Sequence, residues 1–195
     1  ACVNWAIINH ETSACICIHE MSEELDSGPI YLKKYFALNE NTYITDFYKW
    51  SEGIVPQMFC ETLEMINSGV HPQIQSTEIK PLRCYPRKPK DSRINWNEKA
   101  KDIHALIRAS SFPFEGAYGF TEDNEKIKIL KSKIIKIDFD FLAIPGQICE
   151  ISNGMPVIAC RDDQYMIALE KYYINTLSSD ESKYKLCSSL RNRLL

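Results

Sequence analysis

The chain has 195 residues, 45% of them hydrophobic and 25% charged, with a formal net charge of −3. That balance belongs to a globular protein and excludes a disordered or low-complexity chain. No apolar run approaches the roughly 20 residues that cross a bilayer, so no membrane partner is expected.

The start, ACVNWAIINH, has no basic n-region and no cleavage-site pattern, so it is not read as a signal peptide; it reads like the interior of a longer polypeptide. VNWAIIN (3–9) is a short apolar helical piece. ACICIHEM (14–21) alternates and is rich in Cys and Ile, as strands are, and PIYLKKYFAL (29–38) is a second strand with Pro29 at its first position. The polar loop MSEELDSG joins these two strands, which are expected to be buried, with His19 at one end and Asp26 at the other.

From Thr42 the period becomes helical. Ile44, Phe47, Ser51, Ile54, Met58, Phe59, Leu63 and Ile66 fall on one face. Asn41 or Thr42 is the expected cap, Ser68-Gly69 the end, and Gly53 with Pro56 the site of a kink. Residues 68–93, with four of the nine prolines, read as a linker. Charge changes sign within it. Residues 1–79 carry 3 Lys and Arg against 11 Asp and Glu, residues 80–195 carry 20 against 15, and the break near position 80 divides the chain into units 1–80 and 81–195.

Residues 97–110 are expected to form a helix capped by Asn97, with Ala100, Ile103, Leu106 and Ile107 as its apolar stripe. Arg108 ends that helix, where a cation suits the dipole and the last carbonyls. Four strand candidates follow, KIKILKSKIIKID, GQICEIS, MPVIAC and QYMIALEKYY, separated by short turns in the manner of a small β-barrel. The tail, including SSLRNRLL, is read as a terminal basic helix. The eight cysteines lie mostly in apolar runs, and none forms Cys-x-x-Cys. They are read as reduced core residues, with no metal site and a cytoplasmic location expected.

The His19–Asp26 loop alone is equally a turn former beside a strand-end histidine. Its surroundings add more. Trp5 to Asn9, then a strand ending in His19, then Asp26-Ser27-Gly28-Pro29-Ile30, resemble the 10-formyltetrahydrofolate-dependent formyltransferases. INWNEKAKDIHALIRASSFPFEGAY (94–118) independently resembles the start of the C-terminal domain of methionyl-tRNA and amino-sugar formyltransferases. His10, Cys15, Cys17 and Asn95 depart from that pattern.

The resemblance implies an α/β fold, the C-terminal part of a nucleotide-like catalytic domain (1–80) followed by a linker helix and an OB-like β-barrel (81–195). It implies 10-formyltetrahydrofolate as formyl donor and Asp26 as the catalytic carboxylate. His19 would support the Asp26 loop, and the backbone of Glu23, Glu24 and Leu25 would form one wall for the pterin ring. It further implies that Asp26 faces a cavity whose other lining lies outside this sequence. The family's Asn-x-His does not occur upstream of Asp26, so the chain by itself is expected to be inactive, and the missing half and a homodimer are expected as partners. Two acceptors stay open, the amine of a nucleotide-linked amino sugar and methionine on initiator tRNA. The tail favours the sugar, whereas Arg83, Arg87, Lys88, Lys90 and the Lys126–Lys136 stripe would suit phosphates. A non-catalytic OB-like binding module is the alternative from another class.

Overall fold

The computed structural model describes residues 2–76, 82–162 and 164–195. The boundary drawn near position 80 lies at residues 77–81, outside the described residues.

The first half is built on a hairpin. Helix α1 (Cys2–Ile8) leads into β1 (Ser13–His19), which pairs antiparallel with β2 (Ile30–Ala37). Because side chains alternate across a strand, one face carries Ala14, Ile16 and Phe36, which join a buried cluster with Ile7, Leu38, Ile44 and Phe47. Helix α2 (Ile44–Asn67) covers this face: the Phe36 ring lies 5.7 Å from that of Phe47 and 5.2 Å from that of Trp50. The opposite face, with Cys15, Cys17 and Tyr35, is exposed. The strands are therefore half-buried rather than buried, since the sheet has only two strands and one covering helix.

Helix α2 is capped at Tyr43 rather than at Asn41 or Thr42, and Asp46 accepts the Tyr43 N–H at 2.8 Å. It runs continuously through Gly53 and Pro56 and ends at Ser68-Gly69, as expected. The expected apolar face is buried only at Ile44, Phe47 and Met58; Phe59 is 58% exposed, and Leu63 and Ile66 are exposed as well. The hairpin is too narrow to cover a helix of 24 residues on more than one side.

After a 3-10 turn (Pro89–Ser92), α3 (Ala100–Ser110) joins the two halves. The helix begins three residues later than expected. Its Ala100 N–H is accepted by the Asp162 carboxylate, a cap more than sixty residues away that replaces Asn97. Ile103 and Ile107 enter the main core, while Ala109 packs into the hairpin cluster and its carbonyl accepts the Asn4 amide at 2.7 Å. Arg108 is buried, but it does not serve its own helix. Its guanidinium donates to the carbonyls of Asn39 at 3.0 Å and Thr42 at 2.8 Å, tying α3 to the segment before α2. His10, in the left-handed region at φ 56°, meets Asp102 of α3 at 2.7 Å from Nε2 to Oδ1.

The second half is a five-stranded antiparallel sheet in the order β3-β4-β7-β6-β5. Its strands are β3 (Ala117–Phe120), β4 (Lys126–Lys136), β5 (Ile148–Ser152), β6 (Met155–Ala159) and β7 (Tyr165–Ile174). Strand β3 is not among the four strand candidates expected from the sequence. The sheet is open among its named strands, and the C-terminal residues bridge its two edges. Leu194 pairs with Thr121 beyond β3, and Arg193 pairs with Gln147 before β5. SSLRNRLL is thus not a helix: the terminal helix α4 is Ser179–Cys187, and the last residues leave it to close the sheet.

All eight cysteines are free, but only Cys160 is fully buried, so the core role expected of them fails for most. Cys15 and Cys17 alternate onto the uncovered hairpin face. No helix among the described residues is long and apolar enough to cross a membrane.

Candidate active site

The Asp26 turn is shaped by the end of β1. A register shift between Ile18 and His19 ends the regular ladder, and Pro29 O accepts the Glu20 N–H at 2.9 Å. His19 Nδ1 lies 2.7 Å from the Glu20 carbonyl. A carbonyl only accepts, so Nδ1 carries the proton and Nε2 is turned to the loop. There Nε2 lies 3.8 Å from Asp26 Oδ1. The loop is braced internally: Ser22 Oγ and Ser27 Oγ both donate to the Glu24 carbonyl, at 2.9 and 3.0 Å. Tyr31 donates to the Glu20 carboxylate at 2.9 Å, which pushes the phenol above its ordinary pKa.

Two backbone features force the bend. Asp26 takes φ 58°, a left-handed conformation that Asp tolerates better than most residues. Gly28 passes so close to β1 that a Cβ there would lie 1.9 Å from the Glu20 carbonyl oxygen. Gln75, within the segment read as linker, straps the turn from outside: its Nε2 donates to Asp26 O at 2.8 Å and Gly28 O at 2.7 Å. Gln73 pairs with Ile30 just before it. A lone glutamine in a polar stretch carries no sequence signal for such a strap.

The structure brings His19 and Asp26 together, but the Asp26 side chain is 82% exposed, against 25% for His19. Asp26 lines none of the five principal cavities. Within the described residues it faces solvent rather than the expected cavity. Glu23, Glu24 and Leu25 are likewise exposed, with Leu25 at 91%. They offer an apolar side chain and a braced backbone, one open wall rather than an enclosure. Among the described residues, no group of three or more His, Cys, Asp or Glu is placed to hold a metal ion.

The Lys126–Lys136 stripe does not form a single track. Lys126 and Lys128 line one cavity, and Lys133 and Lys136 line another.

A helix-covered hairpin joined through one helix to a tail-bridged antiparallel sheet is a known arrangement. HypX from Aquifex aeolicus in complex with tetrahydrofolic acid superposes with a TM-score of 0.62 at 20% identity, over 85% of this chain and 28% of that one. An N-formyltransferase from Helicobacter canadensis, in complex with folinic acid and dTDP-3-aminofucose, gives 0.57 at 20% identity, over 85% and 59%. The fold class is therefore that of the C-terminal portion of formyltransferases. Residues 87–171 match the family described as formyl transferase, C-terminal domain. The chain is 30% identical over 170 residues to the bifunctional polymyxin resistance protein ArnA of Wigglesworthia glossinidia brevipalpis, covering 87% of this chain and 25% of that protein. It is also 30% identical over 156 residues to the methionyl-tRNA formyltransferase of Thermodesulfovibrio yellowstonii, covering 80% and 48%. The chain is therefore similar to the C-terminal portion of these proteins, and residues 87–171 carry the match to the formyl transferase C-terminal domain. It spans 25% and 48% of the lengths of these two relatives.

Proposed function

We propose that this chain supplies one wall of a folate-dependent formyltransferase site, with 10-formyltetrahydrofolate as donor and the amine of a nucleotide-linked amino sugar as acceptor. The observation that carries this is the turn itself: a left-handed Asp26, a Gly28 with no room for a side chain, and His19 Nε2 3.8 Å from the carboxylate, on a chain whose residues 87–171 match the formyl transferase C-terminal domain. The donor supplies the formyl carbon. Leu25 and the backbone of Glu23 and Glu24 fit one face of a flat ring, since Leu25 is exposed and the Glu24 carbonyl is already held by two hydroxyls.

Acyl transfer to an amine requires a proton to leave the attacking nitrogen and an oxyanion to be stabilised. Asp26 is assigned that proton: its carboxylate is open to an incoming amine, while His19 Nε2 is turned towards the carboxylate at 3.8 Å. No oxyanion donor is assigned to the turn, so the remaining groups must come from polypeptide outside residues 1–195, and the chain alone is inactive. The exposed Asp26 carboxylate and the uncovered face of Cys15, Cys17 and Tyr35 suit such a neighbour. We retain the division into 1–80 and 81–195 and a reduced, cytoplasmic setting for the free thiols.

The preference for a sugar loses one support, since SSLRNRLL bridges the sheet instead of forming a basic helix. It keeps the likeness to the Helicobacter canadensis N-formyltransferase, whose complex holds dTDP-3-aminofucose. The initiator-tRNA reading keeps Lys99, Lys101, Lys133 and Lys136, which share the rim of a second cavity of about 590 Å³ with Glu40 and Asp162. Titrating the chain with tetrahydrofolate tests the donor wall: amide shifts confined to residues 21–28 are expected, and no shift there overturns it.

A further inference from the structure

A cavity of about 530 Å³ opens where the start of α2, the linker before α3, the loop after α3 and the first strands of the large sheet meet. It is within the roughly 300–1,000 Å³ of small-molecule sites. It is not part of the Asp26 site. The cavity reaches Tyr48, next to Phe47, whose ring packs on Phe36 near the open end of the hairpin; the Asp26 turn closes the other end.

The lining has two kinds of surface. Tyr48 and Phe114 present rings 6.3 Å apart and tilted by 56°, with Tyr118 beside them. Around them stand Arg87, Lys88, Lys126 and Lys128. Glu115 is the lining carboxylate, and Lys128 already holds it at 2.9 Å. Arg87, Lys88 and Lys126 form no ion pair among the described residues. Arg87 and Lys126 are also fixed in place. One Arg87 terminal nitrogen donates to Asp91 O at 3.0 Å, Ser92 Oγ at 3.2 Å and Ser110 Oγ at 3.3 Å, while its Nε is buried without a partner. Lys126 Nζ lies 4.1 Å above the Tyr118 ring. The loop that carries Phe114 turns at Gly116, φ 98°, where a Cβ would come 2.9 Å from the Ile129 carbonyl oxygen.

A solvated charged face normally intersperses carboxylates among its cations. Here Arg87, Lys88 and Lys126, none of them in an ion pair among the described residues, converge beside the Tyr48 and Phe114 rings in a bounded hollow with Glu115 as its one lining carboxylate among the described residues. We propose that this cavity binds a mononucleotide, its base against Tyr48 and Phe114 and its phosphates on Arg87, Lys88 and Lys126. A simple anion would leave the rings unused, and a polynucleotide needs an open groove rather than a hollow closed by a shaped loop.

The test is an amide-shift titration of the whole chain with uridine 5′-diphosphate, with uridine, inorganic pyrophosphate and a short oligoribonucleotide as comparisons. Saturable shifts at residues 112–118 and 126–128 are expected, with the diphosphate binding at least about tenfold more tightly than either half. Lys126→Met and Phe114→Ala should each weaken it about tenfold or more. Lys133→Met, in the other lysine-rich cavity, should change nothing. Equal affinity for pyrophosphate, tighter binding of the oligoribonucleotide, no shift at all, or the same loss from Lys133→Met would each overturn the proposal. Should Phe114→Ala not fold, the Lys126 and Lys133 variants decide it. No arm depends on formyl transfer, so the outcome is separate from that of the Asp26 site.

Discussion

Tyr43 and Ser132 are bonded in both directions: the tyrosine hydroxyl donates to the Ser132 carbonyl at 3.0 Å and accepts the Ser132 N–H at 3.2 Å. Ser132 is where β4 slips register against β7. The bulge leaves a peptide unit that the ladder does not satisfy, and the residue that caps the hairpin's helix satisfies it. This contact, with Arg108 and His104, fastens the half that carries Asp26 to the large sheet.

Tyr43→Phe keeps the ring and removes the hydroxyl. It strands a donor at a buried residue, and a loss of about 1–3 kcal/mol is expected. Urea unfolding measures it. A change within error would show that the two halves are held by other means.

His104 lies buried in the same seam, with Nδ1 2.9 Å from Ser132 Oγ and Nε2 3.0 Å from the Glu40 carbonyl. Burial first, and the Arg108 cation second, push its pKa down to about 4 despite the Glu40 bond. The unfolded chain, near 6.5, takes up the proton before the folded one does. Stability is therefore present above the unfolded value and is lost as pH falls from about 6.5 towards 4, by an amount on the order of 3 kcal/mol. Unfolding midpoints against pH, for the wild type and His104→Gln, isolate this from carboxylates that titrate nearby. The variant should show a flatter dependence between pH 4 and 6.5; parallel curves would contradict it.

Gly28→Ala places a methyl group against the Glu20 carbonyl. The turn must move, at a cost of about 1–3 kcal/mol. Amide shifts should concentrate in residues 19–31 and at Gln73 and Gln75, which grip the turn. An unchanged spectrum would mean that the approach to Glu20 does not shape it.

Cys15 and Cys17, on the uncovered hairpin face, should react with a thiol reagent in the native chain, whereas Cys160 should react only on unfolding. Burial pushes the Cys160 thiol up to about 12, which removes its thiolate as well as its access. In a larger assembly that covers the face, the first two should become protected. Native Cys15 and Cys17 as slow as Cys160 would contradict an open face.

What the sequence shows follows the range of the contacts. The period-2 runs of the hairpin and the Ile103–Ile107 stripe report which side meets a core, and both appear in the fold. The Ser68-Gly69 stop and the Asp26-to-Ile30 turn are local backbone chemistry, legible for the same reason. The errors lie where a partner is remote. Asp162 caps α3, Gln75 straps the turn, and Leu194 spans the sheet edge, all across dozens of residues. Hydrophobic period also overstates burial where the covering surface is narrow: Phe59 and Leu63 fit the helix face yet stay 58% and 46% exposed. The exposure of Asp26 has the same origin, since a strand end shows which residue sits at a sheet edge, not what stands opposite.

The most direct measurement is Asp26→Asn in a polypeptide that contains residues 1–195 and transfers formyl groups. If this carboxylate takes the proton of the attacking amine, turnover should fall about 10²–10⁴-fold, with folding and tetrahydrofolate binding retained. Turnover within a factor of two of the wild type would show that Asp26 is only a turn former.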